Sequence, residues 1–377
     1  MPIAVPYFHS RGLDMAQVYQ LQSIYAACFF LFELPTGYLS DMVSRRFVLL
    51  LHGIIWGVAN TFLALSRGFG HLAIFEILAA LGACLFSGSD IALLYDSLEE
   101  LQELKGQGAR MMGRTMFYAR MGETCAALLC TALIPWGLSN PILAQACVGW
   151  IPLLISITLV EPRRDRLSAS QHRENWRRIL RKVLKENNTT YLIILSLISI
   201  GTATLLAVWE FQEYWKALNV PVGYFGLLWA AYNLVVAIAA WFAHRFDSFI
   251  GRPALIGAVG FLPVIGFLGM SFMGSPSGIF ICLAFQLARG IKVVLLDALN
   301  MHADASMRAT INSMVNWGVR LSFVILGPIF GILTDSGGVA RASIFAAVFF
   351  LAAFGIIIVP LIRQIKSGGA HYVIIND

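Results

Sequence analysis

Eleven long apolar runs, each near the twenty or so residues that a helix needs to cross a bilayer core of about 30 Å, fix the solvent in which this chain folds. They cover approximately 17–39, 47–66, 70–95, 114–136, 141–160, 190–209, 222–243, 253–273, 277–298, 310–333 and 342–362. Composition agrees: 58% of the 377 residues are apolar and only 13% charged, where soluble domains carry about 25% charge. Mean hydropathy is +0.74. So little polar surface cannot clothe a soluble fold of this size, and disorder or a disulfide-stapled secreted domain is excluded on the same ground. A transmembrane barrel alternates apolar and polar residues in segments of about ten, whereas these runs are apolar throughout. The expected class is an all-α polytopic membrane protein. Turn signals part the runs at Gly137-Leu-Ser-Asn-Pro141, Gly274-Ser-Pro-Ser-Gly278 and Ser336-Gly-Gly338.

Lysine and arginine in the short loops give the orientation. One side collects Arg45, Arg46, Lys105, Arg110, Arg114, a basic run from Arg163 to Lys185, Arg245, Arg252, Arg308, Arg363 and Lys366. The other holds Arg11, Arg67, Lys216 and Arg341. The heavily basic side is read as cytoplasmic, which places the C-terminus there. The net charge of +6 is thus a topology signal, and no nucleic-acid partner is expected.

This orientation starts the chain on the outside. Pro2-Ile3-Ala4-Val5-Pro6-Tyr7-Phe8 is apolar but far too short to cross, and it turns at His9-Ser10-Arg11-Gly12-Leu13. Residues 1–9 read as the outer end of a first span whose beginning is missing, through a late start or a truncation; a genuine eleven-span protein is the alternative.

The longest polar stretch, 161–189, divides the runs into an N-terminal helical bundle (1–160, spans two to six after the remnant) and a C-terminal six-helix bundle (190–363), with a cytoplasmic tail at 364–377. Six plus six about a basic central loop is a transporter layout. Inside that loop Trp176, Ile179, Leu180, Val183 and Leu184 recur at helical spacing among Arg173, Arg177, Arg178, Arg181, Lys182 and Lys185. Such a segment lies in the membrane interface against anionic lipid. The six cysteines all fall within apolar runs and form no Cys-x-x-Cys pair, as expected of small buried side chains. No metal-ligand spacing, nucleophile elbow or phosphate-binding glycine loop is present. Neither a cofactor nor an enzymatic activity is expected.

The cytoplasmic loop after the second span reads Gly37-Tyr-Leu-Ser-Asp41-Met-Val-Ser44-Arg45-Arg46, directly after Glu33-Leu-Pro-Thr. It resembles the loop motif Gly-x-Leu-Ala-Asp-x-x-Gly-Arg-Arg of the major facilitator superfamily, with Ser44 where the family has its second glycine. A weaker echo stands in the second half, Ala243-His-Arg-Phe-Asp247-Ser-Phe-Ile-Gly251-Arg252, and Glu161-Pro162-Arg163-Arg164 resembles the usual end of the sixth span. The resemblance spans essentially the whole chain and counts 17–39 as span two. It implies the superfamily fold of two six-helix bundles, with about eleven spans present. It also implies that Gly37, Asp41, Arg45 and Arg46 belong to an inner gate. Asp41 would face the start of the helix near Thr310. Asp96, at the end of Ala92-Leu-Leu-Tyr, is the candidate partner of Arg45 or Arg46.

Ionisable residues inside spans are functional by default. The candidates for a substrate or proton pathway are Glu33, Asp90, Arg120, Glu123, Arg289, Lys292 and Arg320; Glu76 and Asp297 also fall within spans. Arg120 and Glu123 sit at i, i+3 and can pair. Arg289, Lys292 and Arg320 favour an anionic substrate group if they face the pathway. Trp209-Glu-Phe-Gln-Glu-Tyr-Trp215 reads as an aromatic, acidic span end, suited to interfacial anchoring or to a substrate vestibule. The expected function is alternating-access transport of a small molecule, proton-coupled through a carboxylate such as Glu33, Asp90 or Glu123. A non-transporting receptor or scaffold, or an inactive truncated transporter, is the alternative. A monomer in a bacterial inner membrane is expected.

Overall fold

The computed structural model describes residues 2–87, 89–101, 104–162, 188–302 and 308–367; side chains at 34, 38, 41, 104–110, 112–113, 116, 120, 188, 300–302 and 308–310 fall outside what it describes. The described residues are helical, with short turns and no strand. The amphipathic linker expected at 161–189 lies outside the described residues from 163 to 187, as does the tail from 368.

The chain divides into two units, Met1–Gln171 with Val222–Ala230, and His172–Pro221 with Ala231–Asp377. The sequence placed everything after 190 in the second bundle; the structure groups Val222–Ala230 with the first.

In the first unit, α1 (Ala4–Ser10) turns at Gly12 (φ +85°) into α2 (Met15–Met42). The entry is well determined. Asp14 accepts the N–H of Gln17 while the Gln17 side chain accepts the N–H of Asp14, a reciprocal cap that satisfies two otherwise orphaned donors. There follow α3 (Arg45–Ala64), α4 (Phe69–Phe86), α5 (Ser89–Glu100), α6 (Leu104–Leu133), α7 (Asn140–Val148) and α8 (Ile151–Thr158). Helix α3 is the hub, packing on α4, α7 and α8, and α2 packs on α4. Phe29, Ala80 and Cys84 form an apolar seam between α2 and α4. Glycine permits a close backbone approach here: a Cβ at Gly53 would stand 2.5 Å from the Leu153 Cα of α8.

The second unit runs through α9 (Asn188–Ala217), α10 from Ala231 onward (the helix is Phe225–Ile250), α11 (Arg252–Phe272), a 3-10 turn at Pro276–Cys282, α12 (Leu283–Ile291), α13 (Val293–His302), α14 (Arg308–Ala353) and α15 (Val359–Ser367). Helices α9 and α11 pack on α14. The core draws Leu197, Val259, Ala288, Leu295 and Val315 together.

Nine helical stretches among the described residues are long and apolar enough to cross a membrane. The last, Ile311–Ser367, contains two expected runs. The backbone leaves the helix between them at Gly337 and at Gly338 (φ +68°), where the Ser-Gly-Gly signal stands. Helix α2 covers the run 17–39 but is more polar, carrying Gln17, Gln20, Gln22 and Ser23. Its Gln22 and Ser23 are buried.

Candidate functional site

The loop between α2 and α3 is two residues long. Val43 ends α2 in an extended conformation and Ser44 (φ −68°, ψ 130°) starts α3. Serine therefore serves here without glycine's left-handed freedom. Its Oγ accepts the N–H of Phe47 at 3.2 Å and donates to Glu161 Oε2 at 2.9 Å. The Glu161 carboxylate also accepts the backbone N–H groups of Arg45 (2.9 Å) and Arg46 (2.7 Å). A carboxylate on a helix N-terminus meets both the unpaired N–H groups and the positive end of the helix dipole. The two arginines then diverge. Arg46 Nη2 donates to the Ile157 carbonyl at 2.8 Å, tying the start of α3 to the end of α8. Arg45 Nη1 lies 2.7 Å from Asp96 Oδ2 on α5, with both side chains largely buried. Of the two pairings the sequence left open, the structure selects Arg45 with Asp96.

Gly37 is exposed, and a Cβ there would meet no atom within 4 Å. The side chains of Asp41 and Thr310 lie outside the described residues, so their expected approach does too. The second-half echo has its own pairing: Arg252 donates from Nε (3.1 Å) and Nη2 (2.7 Å) to Asp247 Oδ2 across a turn at Gly251 (φ +81°).

The candidate pathway residues are spread along the spans. Glu33 on α2 and Asp90 in the first turn of α5 are half-buried; next to Asp90, Ser89 donates to Ser40 at 2.9 Å and fastens α5 to α2. The Arg120 side chain lies outside the described residues, so its pairing with Glu123 does too. Glu123 receives the Trp229 indole N–H at 3.5 Å within the first unit. Both line a cavity of about 500 Å³ whose walls include Trp56, Asn60, Cys130 and Gln145. Gln145 donates to Asn60 at 2.7 Å across the wall, and Glu123 is the charged residue of the lining. In the second unit Arg289 Nη1 donates to Gln286 Oε1 at 3.1 Å, Lys292 ends α12, and Arg320 is half-buried on α14.

Three groups outside the expected set emerge. Glu161 was legible only as the usual end of a span. Glu76 is 4% exposed on α4 and accepts a hydrogen bond from Gln22 at 2.7 Å; its position inside an apolar run was the signal. Glu210 is fully buried and accepts from Thr334 at 3.0 Å. Its segment corrects an expectation. Phe211, Gln212, Tyr214 and Trp215 are buried, with Phe211 against Trp215, Tyr232 and Phe285 at centroid distances of 5.6–6.1 Å. Tyr214 donates to the Met273 carbonyl at 2.7 Å. These rings are interior packing of the second unit and anchor no interface.

The family model of the Major Facilitator Superfamily matches residues 1–303. No curated protein sequence matches significantly. Solved structures share the fold at low identity. A point variant of the nucleoside transporter NupG aligns with a TM-score of 0.77 at 12% identity, over 94% of this chain and 92% of that one. A bacterial homologue of the human lysosomal transporter Spinster, inward-facing and unoccupied, gives 0.73 at 16% identity over 97% and 93%. A POT family transporter in complex with 5-aminolevulinic acid gives 0.69 at 12% identity over 96% and 91%.

Proposed function

The chain belongs to the Major Facilitator Superfamily, and we propose that it is a proton-coupled permease for a small molecule, working by alternating access with its inner gate at the α2–α3 corner. Membrane transport is the function that the family and its structural neighbours support; the coupling, the gate and the bacterial inner membrane are this reading's additions. The observation that carries it is the family match over residues 1–303.

The corner supports the gate. A two-residue loop gives α2 and α3 little freedom to move apart, and the bonds of Glu161, Arg45 and Arg46 extend that rigidity to α8 and α5. Alternating access needs such bodies that move as one. For coupling, half-buried Glu33 and Asp90 and the cavity carboxylate Glu123 are the groups that take up and release a proton. The second unit contributes Arg289, Lys292 and Arg320 to the pathway.

Purified protein reconstituted in liposomes and assayed by counterflow against a solute panel tests the transport step. Uptake that exceeds empty liposomes for one solute class, and that falls when a protonophore collapses the gradient in a driven assay, is the expected result. Transport indifferent to the proton gradient removes the coupling, and no counterflow with any solute removes the permease.

A further inference from the structure

The span Pro276–Leu299 carries two cations one helical turn apart, Arg289 and Lys292. Residues at i, i+3 share a helix face, and like charges there repel. Cations at membrane depth normally pair or snorkel to the interface. Neither escape is visible for Lys292. No residue from 281 to 299 is exposed, whereas α7 and α8 present Leu143, Val148 and Leu154 half or more exposed in the manner of a lipid-facing surface. Among the described residues the Lys292 ammonium has no hydrogen-bond acceptor and no carboxylate within ion-pair distance. Asp297, the acidic residue of the same span, lies five positions on and pairs with neither cation. Arg289 is held by Gln286, itself 1% exposed.

The backbone adds a second, independent observation. At Lys292 (φ −55°, ψ −14°) the backbone stays helical, its N–H donating to the Ala288 carbonyl at 3.1 Å, and the turn tightens so that the Lys292 carbonyl accepts from both Leu295 (3.0 Å) and Leu296 (3.2 Å). Next to this turn, Gly290 lets α12 lie directly on α10: a Cβ there would stand 2.6 Å from Ala239 Cβ and 2.7 Å from the Val236 carbonyl oxygen. The helix is therefore fixed against its neighbour at the turn that bears the cations.

We propose that Arg289 and Lys292 together receive the anionic group, a carboxylate or a phosphate, of the molecule that this protein transports. That the bound molecule is transported rests on the permease reading; the anion site itself does not. A guanidinium offers a planar fork and an ammonium a point charge, and the two suit an oxyanion with several acceptor oxygens.

The test is thermal unfolding of the full chain in neutral detergent at constant ionic strength, with sodium benzoate and inorganic phosphate as probes against sodium chloride. Wild type is expected to melt higher with at least one probe, saturably, and Lys292→Gln to lose that rise. Lys292→Arg is expected to keep it, and Arg289→Gln to weaken the half-saturating concentration roughly tenfold. Without probe, Lys292→Gln is expected to melt no lower than wild type, because it removes an uncompensated cation. A rise equal in wild type and Lys292→Gln, or no rise in wild type, overturns the proposal. So does a Lys292-dependent rise with phosphatidylglycerol and none with the soluble probes, which assigns the pair to lipid headgroups. A Lys292-dependent rise in a protein that shows no counterflow leaves the site standing and the permease reading fallen; unaltered counterflow of an anionic solute by Lys292→Gln does the reverse.

Discussion

Arg45 Nη1 and Asp96 Oδ2 stand 2.7 Å apart, joining the first turn of α3 to α5 with side chains only 12% and 18% exposed. At that burial the pair is shielded from solvent, and removing one partner of a buried ion pair costs about 3–5 kcal/mol because the other charge is left uncompensated. Arg45→Gln and Asp96→Asn are each expected to lower the melting temperature. They are expected to reduce counterflow more than membrane abundance. The exchange Arg45→Asp with Asp96→Arg is expected to recover part of the loss. A double-mutant cycle on melting temperature measures the coupling; independent, additive effects would show that the pair contributes nothing as a pair.

Glu161 acts through backbone N–H groups, and this separates its substitution from that of the arginines. Glu161→Ala removes the acceptor for three donors and is expected to cost about 1–2 kcal/mol. Glu161→Gln keeps one oxygen acceptor and is expected to cost less. Ser44→Gly installs the residue usual in the superfamily motif but removes both the cap to Phe47 and the donor to Glu161. It is expected to lower the melting temperature, whereas a glycine-requiring turn would gain from it.

Gln22 and Glu76 give a third expectation. Their 2.7 Å hydrogen bond joins α2 to α4 where both side chains are at most 8% exposed. Gln22→Leu strands the buried carboxyl and is expected to cost about 1–3 kcal/mol. Glu76→Gln keeps a side-chain oxygen facing the Gln22 amide and is expected to cost less, as read by detergent thermal unfolding.

The span pattern was legible because twenty apolar residues in a row have one use in lipid, and the Ser336-Gly-Gly338 break was legible because Gly338 adopts a φ of +68° that other residues avoid. Opposite charges at the inner ends of two runs made Asp96 a partner for Arg45 or Arg46. Glu161 was not legible as a cap, since its partners are N–H groups that nearly every residue possesses. The Gln22–Glu76 pair joins positions 54 residues apart, a distance across which no periodicity speaks. Trp215 misled for a physical reason: an aromatic ring near a span end suits an interface or a core equally, and only its packing with Phe211 and Tyr232 decides.

Gly53 and Gly37 separate packing from gating. At Gly53 a new Cβ would stand 2.5 Å from Leu153 Cα and 2.6 Å from its backbone nitrogen, atoms that cannot move unless α8 itself moves. Overpacking costs about 1–3 kcal/mol, and alanine's helix preference over glycine offsets about 1 kcal/mol of it. Gly53→Ala is therefore expected to lower the melting temperature. Gly37 lies in α2 with open space around its Cβ position, so Gly37→Ala is expected to leave the melting temperature unchanged or raise it, by about 0.5–1 kcal/mol in stability. If the motif glycine serves the gate by admitting a close approach in another state of the transport cycle, Gly37→Ala slows counterflow in a protein that is no less stable. Normal counterflow by Gly37→Ala would remove Gly37 from the gate and leave Arg45 and Asp96 as its testable core.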